Sequence, residues 1–138
     1  MPDLVGLEAV LERTVTPGMT ASHVGSGGVD VLSTPTMILL FEQASRDAVQ
    51  DRLPAGFTTV GTAVDIEHVA ATGLGDTVTV RTVVVSMDGR YVDFEVEAAD
   101  SAGRIGGGRH RRCIVDLEKF MSRLGERRGE APGKERRT

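Results

Sequence analysis

Apolar and polar residues alternate with two different periods along the chain, and the change of period separates a helix from a set of strands. Between about Thr34 and Arg52 the apolar residues recur at helical spacing. They form one stripe of Met37, Leu40, Phe41, Ala44 and Ala48. Thr34 is a suitable N-cap, and Pro35 suits the first helical position, where its missing N–H costs nothing. The sequence LPAG, residues 53–56, is predicted to end the helix.

On both sides of this helix the period is 2, which is typical of strands. Residues 7–15 form the first predicted strand, and residues 16–33 read as a loop. Four more strands are predicted at residues 59–70, 77–86, 91–100 and 105–120, with tight turns at Asp88-Gly89 and at residues 101–104. In strand 59–70 one face carries Val60, Thr62, Val64, Ile66 and His68, and in strand 91–100 one face carries Val92, Phe94, Val96 and Ala98.

This order of elements predicts an α+β domain in which one long helix covers one face of a twisted antiparallel sheet of about five strands. It is the pattern of the hot-dog fold, in which the sheet wraps the helix. Protomers of that fold usually dimerise, so a homodimer is expected. The domain is predicted to span residues 1–121, and the polar, charged residues 122–138 are predicted to form a disordered tail.

The composition excludes several classes of protein. The 138 residues carry a net charge of −4, without the basic excess of a nucleic-acid-binding protein, and only 4% are aromatic. No apolar run is long enough to span a bilayer, and no membrane association is predicted. The single cysteine, Cys113, excludes an internal disulfide and favours a reducing compartment. The expected location is the cytoplasm.

Three polar residues occupy apolar surroundings: Thr34 at the helix start, Glu42 in the apolar run and His68 on the apolar face of its strand. Each has a structural reading, as a cap, a solvent-facing acid or a hydrogen-bonded core histidine. Together, a hydroxyl, a carboxylate and an imidazole near a helix N-terminus are the components of acyl transfer. Eight helical residues span about 12 Å, so Thr34 and Glu42 are not expected to bond directly. They flank the substrate, or the site combines residues from two chains.

Residues 10–124 resemble the hot-dog acyl-CoA thioesterases, and within them the fluoroacetyl-CoA thioesterase group. The resemblance rests on STPTMILLFE, on VGTAVDIEHVAATGLGDTVTV and on GGGRHRRCIVDLEKF. It implies that Thr34, Glu42 and His68 are catalytic, and that Pro35 and Gly61 line the substrate site. The segment before the helix, ASHVGSGGVDV, lacks the phenylalanines of the fluoroacetyl-specific lid. A broader preference for small or medium acyl groups is therefore expected.

The implied reaction is hydrolysis of an acyl-CoA thioester, with Thr34 or Glu42 as the nucleophile. No cofactor is expected, and no metal site, because the three His and one Cys show no ligand spacing. Arg109, Arg111 and Arg112 are candidates for binding the CoA phosphates, although a solvated strand face explains them equally well. One alternative is a non-catalytic protein that binds acyl-CoA or another small ligand. A hydratase is a second alternative, but the Asp/His pair that its chemistry uses is not found.

Overall fold

A computed structural model describes residues 1–129 of the chain. The elements are β1 (Glu8–Thr14), a single 3₁₀ turn (Pro17–Met19), α1 (Ala21–Val24), α2 (Thr34–Gln50), β2 (Phe57–His68), β3 (Thr77–Asp88), β4 (Tyr91–Asp100), β5 (Gly103–Asp116) and α3 (Leu117–Arg127). All strand pairs are antiparallel, in the order β1-β3-β4-β5-β2. The predicted five-stranded sheet with one long helix against it is confirmed.

The start of α2 differs from the prediction in one respect that matters for function. Ser33, not Thr34, is the N-cap: its Oγ accepts a hydrogen bond from the backbone N–H of Thr36 at 3.1 Å. Thr34 is the first helical residue, and Pro35 follows in the first turn. The prediction that Thr34 caps the helix is therefore wrong, and its hydroxyl is left available to contact another element.

The core lies between α2 and the inner face of the sheet. Met37, Leu40, Phe41 and Ala44 are buried as predicted, whereas Ala48 is half-buried. They pack against inner-face residues that include Val80, Val84, Val92, Phe94 and Ala98. Each large side chain buried in this way stabilises the fold by about 1.5–3 kcal/mol. The alternation predicted for β4 is thus confirmed.

A bulge in β2 changes which of its residues face the helix. The pairing with β5 shifts between Gly61 and Ala63, so that Thr62 is an extra residue without a partner. Thr59 and Gly61 pair with the inward-facing Ile114 and Arg112. Past the bulge the inner face continues with Val64, Ile66 and His68, because these pair with His110, Gly108 and Gly106. The predicted single face that included Val60 and Thr62 is wrong for those two residues.

A second irregularity, between β4 and β5, sets the orientation of the basic residues in β5. Ala99 pairs with Arg104 and Ala98 pairs with Gly106, which leaves Ile105 as the extra residue. As a result His110 and Arg112 turn inward and are almost fully buried. Gly106 allows the sheet to approach α2, because a Cβ at this position would lie 3.0 Å from Cε of Met37.

The C-terminal part of the described chain also differs from the prediction. Strand β5 ends at Asp116, whose Oδ1 accepts a hydrogen bond from the backbone N–H of Lys119 at 3.2 Å and so caps α3. Helix α3 includes the first six residues of the predicted disordered tail. That prediction is therefore wrong for residues 122–127, and residues 130–138 lie outside the described part. None of the helices within residues 1–129 has the length and apolarity needed to cross a bilayer.

The segment between β1 and α2 is more ordered than the predicted loop. It contains the 3₁₀ turn and α1, and isolated bridges join Thr20 to Leu32 and Val31 to Gly73. The hydroxyl of Thr20 caps α1 by accepting a hydrogen bond from the backbone N–H of His23. The bridges hold the segment against the N-terminus of α2 and the loop that follows β2.

Candidate active site

The N-terminus of α2 and the C-terminal end of β2 bring Thr34 and His68 together. Oγ1 of Thr34 lies 2.8 Å from Nδ1 of His68, within hydrogen-bonding distance. The contact exists because Ser33 caps the helix and leaves the Thr34 hydroxyl free. A hydroxyl bonded to an imidazole is the arrangement in which the imidazole can act as a base toward a nucleophile.

The surroundings of His68 favour the neutral ring. Burial lowers the pKa of His68, and the nearby backbone of Ala70 acts in the opposite direction more weakly. A neutral ring that accepts the Thr34 hydroxyl proton at Nδ1 carries its own hydrogen on Nε2. Nε2 is buried and makes no hydrogen bond within residues 1–129. This second nitrogen is therefore available to donate to water, to a substrate or to another chain.

An open cavity of about 350 Å³ lies beside the Thr34–His68 pair. Apart from these two residues its walls are mostly small and apolar, and they include Ala21, Gly27, Val29 and Val69. Within the described part of the chain, no acidic side chain, lysine or arginine lines it. Most of one wall comes from the segment that precedes α2, and none of the described residues in that wall is a Phe, Tyr or Trp.

Glu42 lies in a different cavity of about 310 Å³, whose lining includes Ile38, Gly61, Val64 and His110. Gly61 provides the space for the carboxylate, because a Cβ at that position would lie 2.8 Å from Oε2 of Glu42. Oε2 is also 3.6 Å from Nη1 of Arg112. The protomer thus divides the predicted catalytic residues between two cavities, one with Thr34 and His68 and the other with Glu42 and Gly61.

A buried hydrogen-bond network fixes the position of Arg112 beneath Glu42. Nε and Nη2 of Arg112 donate to Oγ1 and to the carbonyl of Thr59, at 2.8 and 3.0 Å. Nη1 lies 3.2 Å from Nε2 of His110, whose Nδ1 is 2.8 Å from the carbonyl of Ala63. Nδ1 must donate to that carbonyl, so Nε2 is free to accept from Arg112. Burial lowers the pKa of His110 and so favours this neutral form.

Sequence reasoning did not identify this network. Arg112 was considered for binding the CoA phosphates, but its side chain is only 7% exposed and points toward Glu42. His110 was not singled out. One signal would have identified Arg112 and His110: a basic residue that faces inward from a strand, opposite an acid on the helix packed against it. Recognising that signal requires the register of the strand.

The other predicted substrate-binding residues lie at the surface. Arg109 and Arg111 are on the outer face of the sheet, where Arg109 pairs with Glu95 at 3.3 Å and Arg111 with Asp93 at 2.7 Å. The structure therefore does not bring these two arginines to Glu42. Pro35 is exposed next to Thr34. Among residues 1–129 no group of three or more His, Cys, Asp or Glu side chains is placed to hold a metal ion.

Comparison with known proteins places these residues in a family context. The family model described as fluoroacetyl-CoA-specific thioesterase matches residues 15–118. A fluoroacetyl-CoA thioesterase from Streptantibioticus cattleyicolor is 38% identical over 95 residues, which cover 69% of this chain and 68% of that relative.

Solved structures agree with this assignment. A structure of a fluoroacetyl-CoA thioesterase has 33% identity and a TM-score of 0.82, covering 88% of this chain and 95% of that one. A thioesterase superfamily member from Thermus thermophilus has 33% identity and a TM-score of 0.82, covering 92% and 97%. A hot-dog-like protein from Thermanaerovibrio acidaminovorans has 25% identity and a TM-score of 0.83, covering 89% and 91%. The chain therefore belongs to the fluoroacetyl-CoA-specific thioesterase family and has the hot-dog fold.

Proposed function

We propose that this protein hydrolyses small and medium acyl-CoA thioesters, with Thr34 as the nucleophile and His68 as its base. The observation that carries this proposal is the 2.8 Å distance between Oγ1 of Thr34 and Nδ1 of His68. Membership of a thioesterase family supports the reaction class. The hydrogen bond supports the choice of Thr34 over Glu42 as the attacking group.

The reaction proceeds in two steps. His68 takes the proton from the Thr34 hydroxyl as Oγ1 attacks the thioester carbonyl, and the same proton passes to the departing CoA thiolate. The negative charge on the carbonyl oxygen is stabilised by the positive end of the α2 dipole, next to Thr34. Water then attacks the Thr34 ester, with His68 again as the base, and releases the free acid.

Glu42 enters this scheme through a homodimer in which it comes from the partner subunit. Three observations support the idea. Thr34 and Glu42 are separated by about 12 Å along α2, and Nε2 of His68 is buried with no hydrogen-bond acceptor among residues 1–129. Residues 61–65 of β2, which is an edge strand of the sheet, are exposed beside the cavity that holds Glu42. A carboxylate that accepts from Nε2 orients the imidazole and stabilises its protonated form.

The acyl group occupies the cavity beside Thr34 and His68. Its small apolar walls favour uncharged acyl groups, since a charged group would lose hydration without gaining an ionic partner there. Among residues 1–129 no Phe, Tyr or Trp side chain forms part of this wall, which supports a broad acyl preference and not a specific preference for fluoroacetyl groups. Arg109 and Arg111 remain sequence-based candidates for contacts with CoA.

The test is thiol release from acetyl-, butyryl- and hexanoyl-CoA by wild-type protein and by two Thr34 variants. Thr34→Ala should lower kcat by about 100-fold or more, because it removes the nucleophile that His68 activates. Thr34→Ser keeps the hydroxyl and is the matched control, expected to retain most activity. Circular dichroism should verify that both variants are folded.

Two outcomes would contradict the proposal. Full turnover by folded Thr34→Ala protein would exclude Thr34 as the nucleophile. Tight binding of acyl-CoA by wild-type protein without any thiol release would instead favour a non-catalytic binding protein on the same fold.

A further inference from the structure

A second candidate site lies on the outer face of the sheet, opposite the face against which α2 packs. It is a groove of about 130 Å³ between α3, the β3–β4 turn and the end of β5. Its lining includes Arg90, Lys119 and Arg123, together with Cys113, Asp116 and Phe120. Arg90, Lys119 and Arg123 form the cationic triplet of this groove.

The cationic triplet differs from the neighbouring basic residues of β5, although Arg81 of β3, also on the outer face, likewise forms no ion pair among residues 1–129. Arg104, Arg109 and Arg111 are each paired with an acid of β4. None of the triplet forms an ion pair among residues 1–129. The groove therefore contains three positive charges whose partners are not supplied by the described part of the chain.

One carboxylate, Asp116, also lines the groove and offsets part of this charge. Its Oδ1 is engaged as the α3 cap by the backbone N–H of Lys119. Three cations against one acid leave two net positive charges, although the chain as a whole carries −4. Lys119 and Arg123 are four residues apart on one helix, where like charges destabilise each other. A bound anion would relieve that repulsion.

We propose that this groove binds the phosphate groups of a nucleotide, with the ring of Phe120 against the base. Arginine presents a planar set of donors that matches phosphate oxygens, and the small cavity suits a phosphate group better than an extended acidic peptide. Phe120 is 39% exposed, which leaves its ring accessible for stacking. The nucleotide end of CoA and a free nucleotide share this chemistry. The site itself does not depend on thioesterase activity, and only the kinetic experiment below rests on the proposed function.

The binding test uses adenosine 3′,5′-bisphosphate and inorganic phosphate as probes of wild-type protein. Calorimetry measures the affinity for each probe. Cys113, the only cysteine in the chain, is half-buried in the groove. The rate at which iodoacetamide alkylates it therefore reports whether the groove is occupied. The triple variant Arg90→Gln/Lys119→Gln/Arg123→Gln should bind the nucleotide at least 10-fold more weakly and lose protection of Cys113. The matched control Arg13→Gln/Arg52→Gln/Arg81→Gln removes three charges elsewhere and should behave as wild type.

Three results would overturn the proposal. The first is no binding of the nucleotide by wild-type protein at millimolar concentration. The second is equal affinity in the triple variant. The third is equal affinity and equal protection of Cys113 by inorganic phosphate, which would refute the assignment to a nucleotide.

Kinetics with and without the nucleotide portion of the substrate identify the source of the ligand. If the groove holds the CoA end of the substrate, the triple variant should raise KM for acyl-CoA about 10-fold with kcat unchanged. The matching acyl-pantetheine, which has no phosphates, should be unaffected. An unchanged KM together with lost nucleotide binding would support the site and assign it to a free nucleotide. Absence of hydrolysis by wild-type protein would refute the proposed function. The binding measurements would still show whether the groove binds a nucleotide.

Discussion

Two adjacent hydroxyl residues at the start of α2 make different hydrogen bonds. Ser33 satisfies the backbone of the first turn, and Thr34 contacts His68 at 2.8 Å. The sequence indicated a capped helix with a hydroxyl at its start. It did not distinguish Ser33 from Thr34 as the cap, because both residue types fit that position and helix boundaries vary by one or two residues.

The lowered pKa of His68 predicts the pH dependence of the reaction. Burial disfavours the imidazolium, so the apparent pKa of the acid limb of kcat/KM should lie below the ordinary value of 6.5. Activity should fall as the pH drops through that limb, because the protonated ring cannot accept the Thr34 proton. His68→Asn should abolish the limb along with most activity, whereas His23→Asn, a change at an exposed histidine outside the candidate site, should leave it in place. An unchanged limb in folded His68→Asn protein would show that another group sets it.

The same shift has a consequence for stability that must be controlled in this experiment. His68 and His110 both have pKa values lowered by burial in the folded state. The unfolded chain therefore binds more protons below pH 6.5, and the free energy of unfolding decreases as the pH falls through that range. Rates should accordingly be expressed per folded molecule.

At the scale of elements, the bulge in β2 places Gly61 opposite Glu42. Gly61→Ala should lower activity clearly while costing little stability, because the added Cβ would lie 2.8 Å from Oε2 of Glu42 and displace a flexible side-chain end. Gly73→Ala is the matched control, since a Cβ there meets nothing within 4 Å. Thermal unfolding and thiol release measured together separate the two effects. If the Gly61→Ala variant hydrolysed the substrate at the wild-type rate, the position of the Glu42 carboxylate would not be important for activity.

The strands with regular alternation were predictable, and the irregular ones were not. The face of β4 is correct because Val92, Phe94, Val96 and Ala98 alternate cleanly with acidic residues. In β2 and β5 the extra residues Thr62 and Ile105 reverse the faces. A one-residue shift moves every later side chain to the other face. Gly61 and Gly106 adjoin the two bulges, but a glycine in a strand also marks a bend or a close approach, so it does not by itself locate a register shift. Alternation by itself places Arg112 on the opposite face from Arg109 and Arg111, but it does not say which of the two faces points toward α2.

Helix α3 was missed for a different reason. Its apolar residues Leu117, Phe120, Met121 and Leu124 have helical spacing, but the first three lie at the end of the predicted last strand or at its boundary, and none of the four is buried. The residues that identify it are local: Asp116 as the cap and Glu118 in the first turn. These signals mark a helix start even where no apolar face is buried.

At the scale of the whole molecule, the wall before α2 predicts substrate selectivity. Because no Phe, Tyr or Trp of residues 1–129 lines the acyl cavity, kcat/KM for fluoroacetyl-CoA and acetyl-CoA should differ by no more than about 10-fold, after correction for their different rates of hydroxide hydrolysis. Parallel measurement of both substrates checks this. A very large preference for the fluorinated substrate would mean that other residues recognise the fluorine.

Glu42 and the Thr34–His68 pair lie in separate cavities of the described chain. We propose that Thr34 and His68 act within one chain and that Glu42 of a partner subunit completes the site. Two subunit-mixing experiments distinguish the possible arrangements. Each mixes two inactive variants, allows subunits to exchange, and quantifies mixed dimers by native mass spectrometry before thiol release is measured.

In the first mixture, Thr34→Ala is combined with Glu42→Gln, and each mixed dimer should contain one intact site. Activity per mixed dimer should therefore recover to about half that of wild type, since one of its two sites is complete. The second mixture, Thr34→Ala with His68→Ala, is the control and should remain inactive, because each of its sites lacks one member of the 2.8 Å pair. Verified mixed dimers that stay inactive in the first mixture, or recover in the second, would contradict this account of the site.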